Sequence, residues 1–185
     1  MPTDFSEHSK FALENAAFIA QKTRAELIVL HIVKNEKKAE EIIVDAKIEE
    51  LKNLDYLKFV KVDFLVESGS GISKIIDKVA RNIDADLIVM GSNGANNTEE
   101  IILGSTTENV IRKSAVNVLT VKREIITFEL NHILFPSDFS KESYTIFEDV
   151  KDFAKIFKAT IHLLRVNKKD NLADKTTPKM DAFID

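Results

Sequence analysis

Asp86-Leu-Ile-Val-Met-Gly-Ser-Asn-Gly94, a polar stretch through Glu100, then Ile101-Ile-Leu-Gly-Ser-Thr-Thr-Glu-Asn-Val-Ile-Arg-Lys-Ser114 and a closing Val116-Asn-Val-Leu-Thr-Val121 decide the fold of this chain. The stretch reads as strand, glycine loop, helix, strand. Leu87 to Met90 is a continuous apolar run with β-branched members, which suits a strand buried on both faces of a parallel sheet. Gly91 breaks the run. With two residues between them, Gly91 and Gly94 permit unusual backbone angles and carry no Cβ, so backbone N–H groups there can approach an anion. Further on, Gly104 precedes Ser105, Thr106 and Thr107, and Val110, Ile111 and Ser114 follow at helical spacing. The first turn of such a helix offers free N–H groups, hydroxyls and the positive end of a dipole. Two donor clusters thus face one place, and a polyphosphate is the occupant they suit.

This is not the common phosphate loop, since no Gly-Lys-Ser/Thr follows the glycines, and it lacks the Gly-x-Gly-x-x-Gly dinucleotide spacing. A plain strand-to-loop turn at Gly91 and Gly94 does not require the hydroxyl run after Gly104. The whole pattern, Gly-x2-Gly-x9-Gly-Ser between an Asp-Leu-Ile-Val-Met strand and a Val-Leu-Thr-Val strand, closely resembles the nucleotide-binding signature of the universal stress protein family, in its ATP-binding branch.

Composition narrows the class. The 185 residues are 44% hydrophobic, enough for a full domain and part of a second. Charged residues make up 30%, with a net charge of -4 and no basic block, so nucleic acid is not an expected partner. The absence of cysteine excludes disulfides and thiolate metal sites and is compatible with a reducing cytoplasm. No apolar run approaches the roughly 20 residues that span a bilayer, so no membrane role is expected and the cytoplasm is the expected location.

Taken in order, Pro2-Thr-Asp-Phe-Ser6 reads as a strand end passing into a helix, with Ser6 as cap and Leu13, Ala16, Ala17 and Ala20 as a small apolar face. Ala25 to Val33 reads as a buried strand. A charged helix between Asn35 and Asp55, a strand over Lys58 to Val66, a turn at Ser68-Gly-Ser-Gly71 and an amphipathic helix from Ile72 to Ile83 lead into the opening stretch. Strands and helices alternating through short connections predict an α/β fold: a doubly wound parallel sheet, Rossmann-like, with ligands at the carboxyl ends of the strands. Asp4, Val33 and Gly91 all lie at such ends.

After Val121 the beginning recurs. His132-Ile-Leu-Phe-Pro-Ser-Asp-Phe-Ser-Lys-Glu-Ser143 places Pro136, Asp138, Phe139, Ser140 and Ser143 on Pro2, Asp4, Phe5, Ser6 and Ser9, and Ala159 to Val166 continues in register on Ala25 to Ile32. The organisation expected is a domain over 1–122, a linker over 123–130 and a partial second repeat over 131–185, strand-helix-strand with a loosely ordered tail from Lys168. Tandem universal stress proteins build within one chain the pseudo-dimer that single-domain members form between chains. Against that pattern the apolar strand before Pro2 is missing and the second repeat has no glycine loop, so the chain looks truncated at both ends. Either the strand His132 to Pro136 fills the vacant central position, in this chain or from a neighbour, or the chain is a partly stable fragment.

The resemblance implies a set of nucleotide-binding residues: Pro2, Thr3 and Asp4 at the base or ribose, Ile32 through its backbone, Met90 and Gly91 beside the ribose and α-phosphate, and Gly94 closing the loop. Gly104, Ser105, Thr106 and Thr107 are expected to hold the outer phosphates. On the residues alone, Asp4 is equally a turn residue before a capping Ser. No Lys or Arg occurs between Leu87 and Ile111, so ATP is expected with Mg²⁺. No catalytic residue stands out. Glu99, Glu100 and Glu108 are near enough to orient a water but read as solvated, and His8, His31, His132 and His162 show no metal-ligand spacing. The function implied is an ATP-binding regulator of the stress response, acting through nucleotide-dependent shape or partners. The alternatives are an interaction module independent of nucleotide and a slow ATPase. Pairing as a homodimer or pseudo-dimer through the strand around Val118 to Val121 is implied as well, although Asn117 stands where relatives often carry Pro.

Overall fold

The computed structural model describes residues 1–34, 38–92, 103–122 and 129–165. Gly94, Glu99, Glu100 and the tail from Lys168 lie outside the described residues. The chain divides into two compact units, Met1–Phe128 and Glu129–Asp185.

In the first unit the order is β1 (Pro2–Thr3), α1 (Glu7–Thr23), β2 (Leu27–Val33), α2 (Lys38–Lys52), a 3-10 turn at Asp55–Leu57, β3 (Val62–Ser68), α3 (Ile72–Asn82), β4 (Leu87–Gly91), α4 (Ser105–Lys113) and β5 (Asn117–Val121). Every strand pairing is parallel: Pro2 faces Leu30, Leu27 faces Val62, and Leu87 faces Asn117. This is the α/β, doubly wound arrangement expected. β4 is covered on both sides, with Ile88, Val89 and Met90 all buried. One side is the small face of α1 (Ala12, Leu13, Ala16, Ala17), which lies against β4 and β5. On the other, Leu30, Ile76, Val79, Ala80, Ile88, Met90 and Val110 pack as one cluster from β2, α3, β4 and α4.

Two details differ from the expectation. The hydrogen bonds run in two ladders, β1-β2-β3 and β4-β5, rather than one. β1 lies against β4 without pairing to it, because a two-residue strand containing a proline has too few groups to ladder on both sides. β3 begins at Val62 and not at Lys58, since Leu54 to Leu57 closes a 3-10 turn, with Leu57 N donating to Leu54 O, before the strand can start.

In the second unit the described residues form β6 (His132–Pro136), α5 (Lys141–Phe157) and β7 (Thr160–Leu164), with β6 and β7 parallel. Its small core is Phe139 and Phe147 with Phe135, Ile161 and Leu163 packed against them. Local geometry follows the sequence repeat closely. Phe5 and Phe139 both adopt left-handed angles (φ 60 and 58), Ser6 and Ser140 both cap their helices, and Arg24 and Lys158 both end them in the left-handed conformation. Pro136 faces Leu164 as Pro2 faces Leu30.

Candidate nucleotide site

The carboxyl ends of β1, β2 and β4 carry the residues singled out from the sequence. At β1, Thr3 is buried, with Oγ1 accepting from Phe5 N at 3.0 Å and 3.0 Å from Ser9 Oγ. Asp4 is exposed, and its Oδ1 accepts from Ser6 N at 3.0 Å. Ser6 Oγ in turn accepts from Ser9 N, and Ser9 Oγ donates to Ser6 O. The turn is thereby fixed by its own side chains. Partial burial raises the Asp4 carboxyl pKa, but hydrogen bonds from Ser6 and Ser9 outweigh it, so the group lies below its ordinary value and is a carboxylate at neutral pH. Asp4 thus serves the turn while its carboxylate stays at the surface.

β2 contributes two neighbours. His31 Nδ1 lies 2.9 Å from Thr3 O, and its ring stacks at a tilt on Phe5, centroids 4.4 Å apart. This is the hydrogen-bonded structural role its strand position predicts. Ile32 is half-buried and packs on the β2-α3-β4-α4 cluster, which leaves its backbone as the part it can offer a ligand. Lys47, from α2, places Nζ 5.0 Å from the centre of the Phe5 ring. Sequence reading passed over this cation, because α2 looks like a plain solvent face and only the fold returns it to the β1 turn.

At the end of β4 three bonds fasten the loop mouth. Ser92 N donates to Val121 O (2.9 Å), Gly104 N donates to Ser92 O (2.8 Å), and Thr107 Oγ1 donates to Gly91 O (3.0 Å). Gly91 and Gly104, thirteen positions apart in sequence, are therefore held in one place. α4 makes its first intrahelical bond from Glu108 N to Gly104 O, and Gly104 has no side chain to cap the turn. The amides of Ser105, Thr106 and Thr107 precede that bond and lie at the positive end of the helix.

These bonds change two expected roles. Gly104 N and the Thr107 hydroxyl were expected among the phosphate donors, but both are engaged with backbone carbonyls, and Thr107 is buried. Both therefore hold the start of α4 to the end of β4, and among the described residues the other donors at this helix start are the first-turn amides with the hydroxyls of Ser105, exposed, and Thr106, half-buried. Met90, too, keeps its side chain in the core. Glu108 is engaged with Arg112 Nε at 2.9 Å on the helix surface. Among the described residues no group of three or more His, Asp or Glu could hold a metal ion, and no helix is long and apolar enough to cross a membrane.

A family model described as the Universal stress protein family matches residues 1–122. The chain is 33% identical over 152 residues to universal stress protein MJ0577 of Methanocaldococcus jannaschii, covering 66% of this chain and 93% of that one. The solved structure of MJ0577 superposes with a TM-score of 0.52 at 37% identity, over 67% of this chain and 94% of that one. A universal stress protein solved in complex with cAMP superposes with a TM-score of 0.54 at 26% identity, over 66% and 93%. PA1789 of Pseudomonas aeruginosa PAO1 shares the fold over 90% of this chain and 59% of its own, with a TM-score of 0.66 at 18% identity. With the family match spanning residues 1–122, which hold β1 to β5, the chain belongs to the universal stress protein family.

Proposed function

We propose that the first unit binds an adenine nucleotide, ATP with Mg²⁺, and acts as a stress-response regulator whose shape or partners change with the bound nucleotide. The observation that carries this reading is the fastening of the first turn of α4, where Gly104 offers no capping side chain, to the end of β4 through Gly104, Ser92, Thr107 and Gly91. A helix start of this kind, at the carboxyl end of a parallel strand, suits a phosphate group. Asp4 and the backbone of Ile32 stand at the neighbouring strand ends, where a base and ribose extend. The cAMP complex of a relative supports the same ligand class. Mg²⁺ would be held mainly by phosphate oxygens and water, in keeping with its preference for oxygen ligands and retained waters and with the lack of a carboxylate cluster among the described residues. Among the described residues β5 pairs with β4 alone, which supports pairing of two copies through Val118 to Val121.

Titration calorimetry with ATP and with cAMP, each with and without Mg²⁺, tests the reading. Tighter binding of ATP in the presence of Mg²⁺, weakened by Gly104→Val, is expected. Absence of binding to either nucleotide overturns it.

A further inference from the structure

The second unit brings together two imidazoles that the sequence keeps thirty residues apart. His132 Nδ1 of β6 and His162 Nε2 of β7 are 3.0 Å from each other, with ring centroids 5.1 Å apart. The pair is diagonal across the ladder, since His132 faces Thr160 and Leu134 faces His162. Strand alternation turns Phe135, Ile161 and Leu163 toward the small core and leaves His132, Leu134, His162 and Leu164 on the opposite, exposed face.

We propose that His132 and His162 form a binding site for a late first-row divalent ion, with zinc(II) as its representative. The two nitrogens lie 3.0 Å apart, and two neutral imidazoles carrying their N–H on His132 Nε2 and His162 Nδ1 can each present a lone pair to an ion between them. With metal–nitrogen bonds of about 2.0–2.1 Å, nitrogens 3.0 Å apart subtend about 94° at a common ion. Square-planar coordination needs about 90°, and opening the pair by about 0.3 Å gives the tetrahedral angle. Imidazole selects zinc, copper and nickel over magnesium and calcium.

The fold itself does not call for this pair. The repeat places His162 on Ile28 of the first unit, a half-buried strand residue, so the sheet is built equally well without histidine there. Nor does an exposed hydrogen bond between imidazoles add much to stability, because water offers each ring the same bond. No third ligand joins them among the described residues. Water, or the same pair from a second copy, completes the coordination.

The test uses the full chain, stripped of metal with a chelator and free of nucleotide, titrated with zinc chloride and separately with magnesium chloride. Zinc binding is expected at one ion per chain, or at one per two chains with a doubled mass in light scattering. His132→Gln and His162→Gln are each expected to weaken it by about tenfold or more, while His8→Gln leaves it unchanged. Both replaced residues are exposed, and circular dichroism of the metal-free variants verifies that they fold. In NMR spectra, zinc is expected to shift the His132 and His162 imidazole signals and not those of His8 or His31. Zinc affinity unchanged in both Gln variants, shifts confined to other residues, or absence of zinc binding overturns the proposal.

Discussion

Thr107 Oγ1 donates a hydrogen bond to Gly91 O at 3.0 Å, joining the first turn of α4 to the last residue of β4. Thr107 is 4% exposed, so water does not readily replace the bond. Thr107→Val keeps the shape of the side chain and removes the donor, and the expected cost is about 1 kcal/mol of unfolding free energy. Because α4 is then less firmly held, nucleotide affinity should fall as well. Thr107→Ser should restore both. Urea unfolding and nucleotide titration of the three proteins check this; a Val variant with unchanged affinity would show that the tether does not position the site.

Arg24 ends α1 in the left-handed conformation (φ 58), its N–H bonded to Ala20 O, and its side chain is exposed. Left-handed angles cost a residue with a Cβ about 1–2 kcal/mol relative to glycine. Arg24→Gly gives back part of this as unfolded-chain entropy, so a net stabilisation of about 0.5 kcal/mol is expected. Lys158→Gly, at the end of α5, should act the same way on the second unit. A lower urea midpoint in both variants would contradict the assignment of these caps.

Asp138 gives an acid dependence. Hydrogen bonds from Ser143, first, and from Ser140 hold its carboxyl down at about 2 against an ordinary 3.8. As pH falls, the unfolded chain takes up this proton before the folded one. The stabilisation is therefore complete above about pH 4 and disappears as pH falls toward 2. Subtracting the pH profile of the Asp138→Asn variant from that of the parent should leave a difference confined to this window. A difference that is flat between pH 2 and 5 would count against the Asp138–Ser143 bond.

Much of this was legible because the residues concerned act locally. The run Leu87 to Met90 announces a strand covered on both faces, and Ile88, Val89 and Met90 are all buried. Pro-Thr-Asp-Phe-Ser and its copy Pro-Ser-Asp-Phe-Ser give capping serines and left-handed phenylalanines in both units. The start of β3 was harder to read, since an edge strand with the burial of β3, mostly exposed, has weak alternation and the 3-10 turn before it carries charged residues like its surroundings. Roles set by tertiary contact were not legible at all. Sequence spacing suggests that Gly104 and Thr107 offer donors to a ligand, and only the fold shows Ser92 O and Gly91 O taking them. Lys47 over Phe5 and the His132–His162 pair were missed for the same reason, since strand register and helix return bring distant residues together.

In the proposed mode of binding, the strand ends of the first unit and the start of α4 hold an adenine nucleotide. The measurement that meets it most directly is acid release of small molecules from protein purified without added nucleotide, identified by chromatography and mass spectrometry, alongside Gly104→Val. Gly104 has φ -59 and ψ 141, angles a residue with a side chain adopts freely, so the variant tests access to the α4 amides and not backbone strain. Near-stoichiometric ATP or ADP in the parent and its loss in a folded Gly104→Val is the predicted result. A parent that is empty and also fails to bind added ATP with Mg²⁺, or a variant that carries as much nucleotide as the parent, would contradict it.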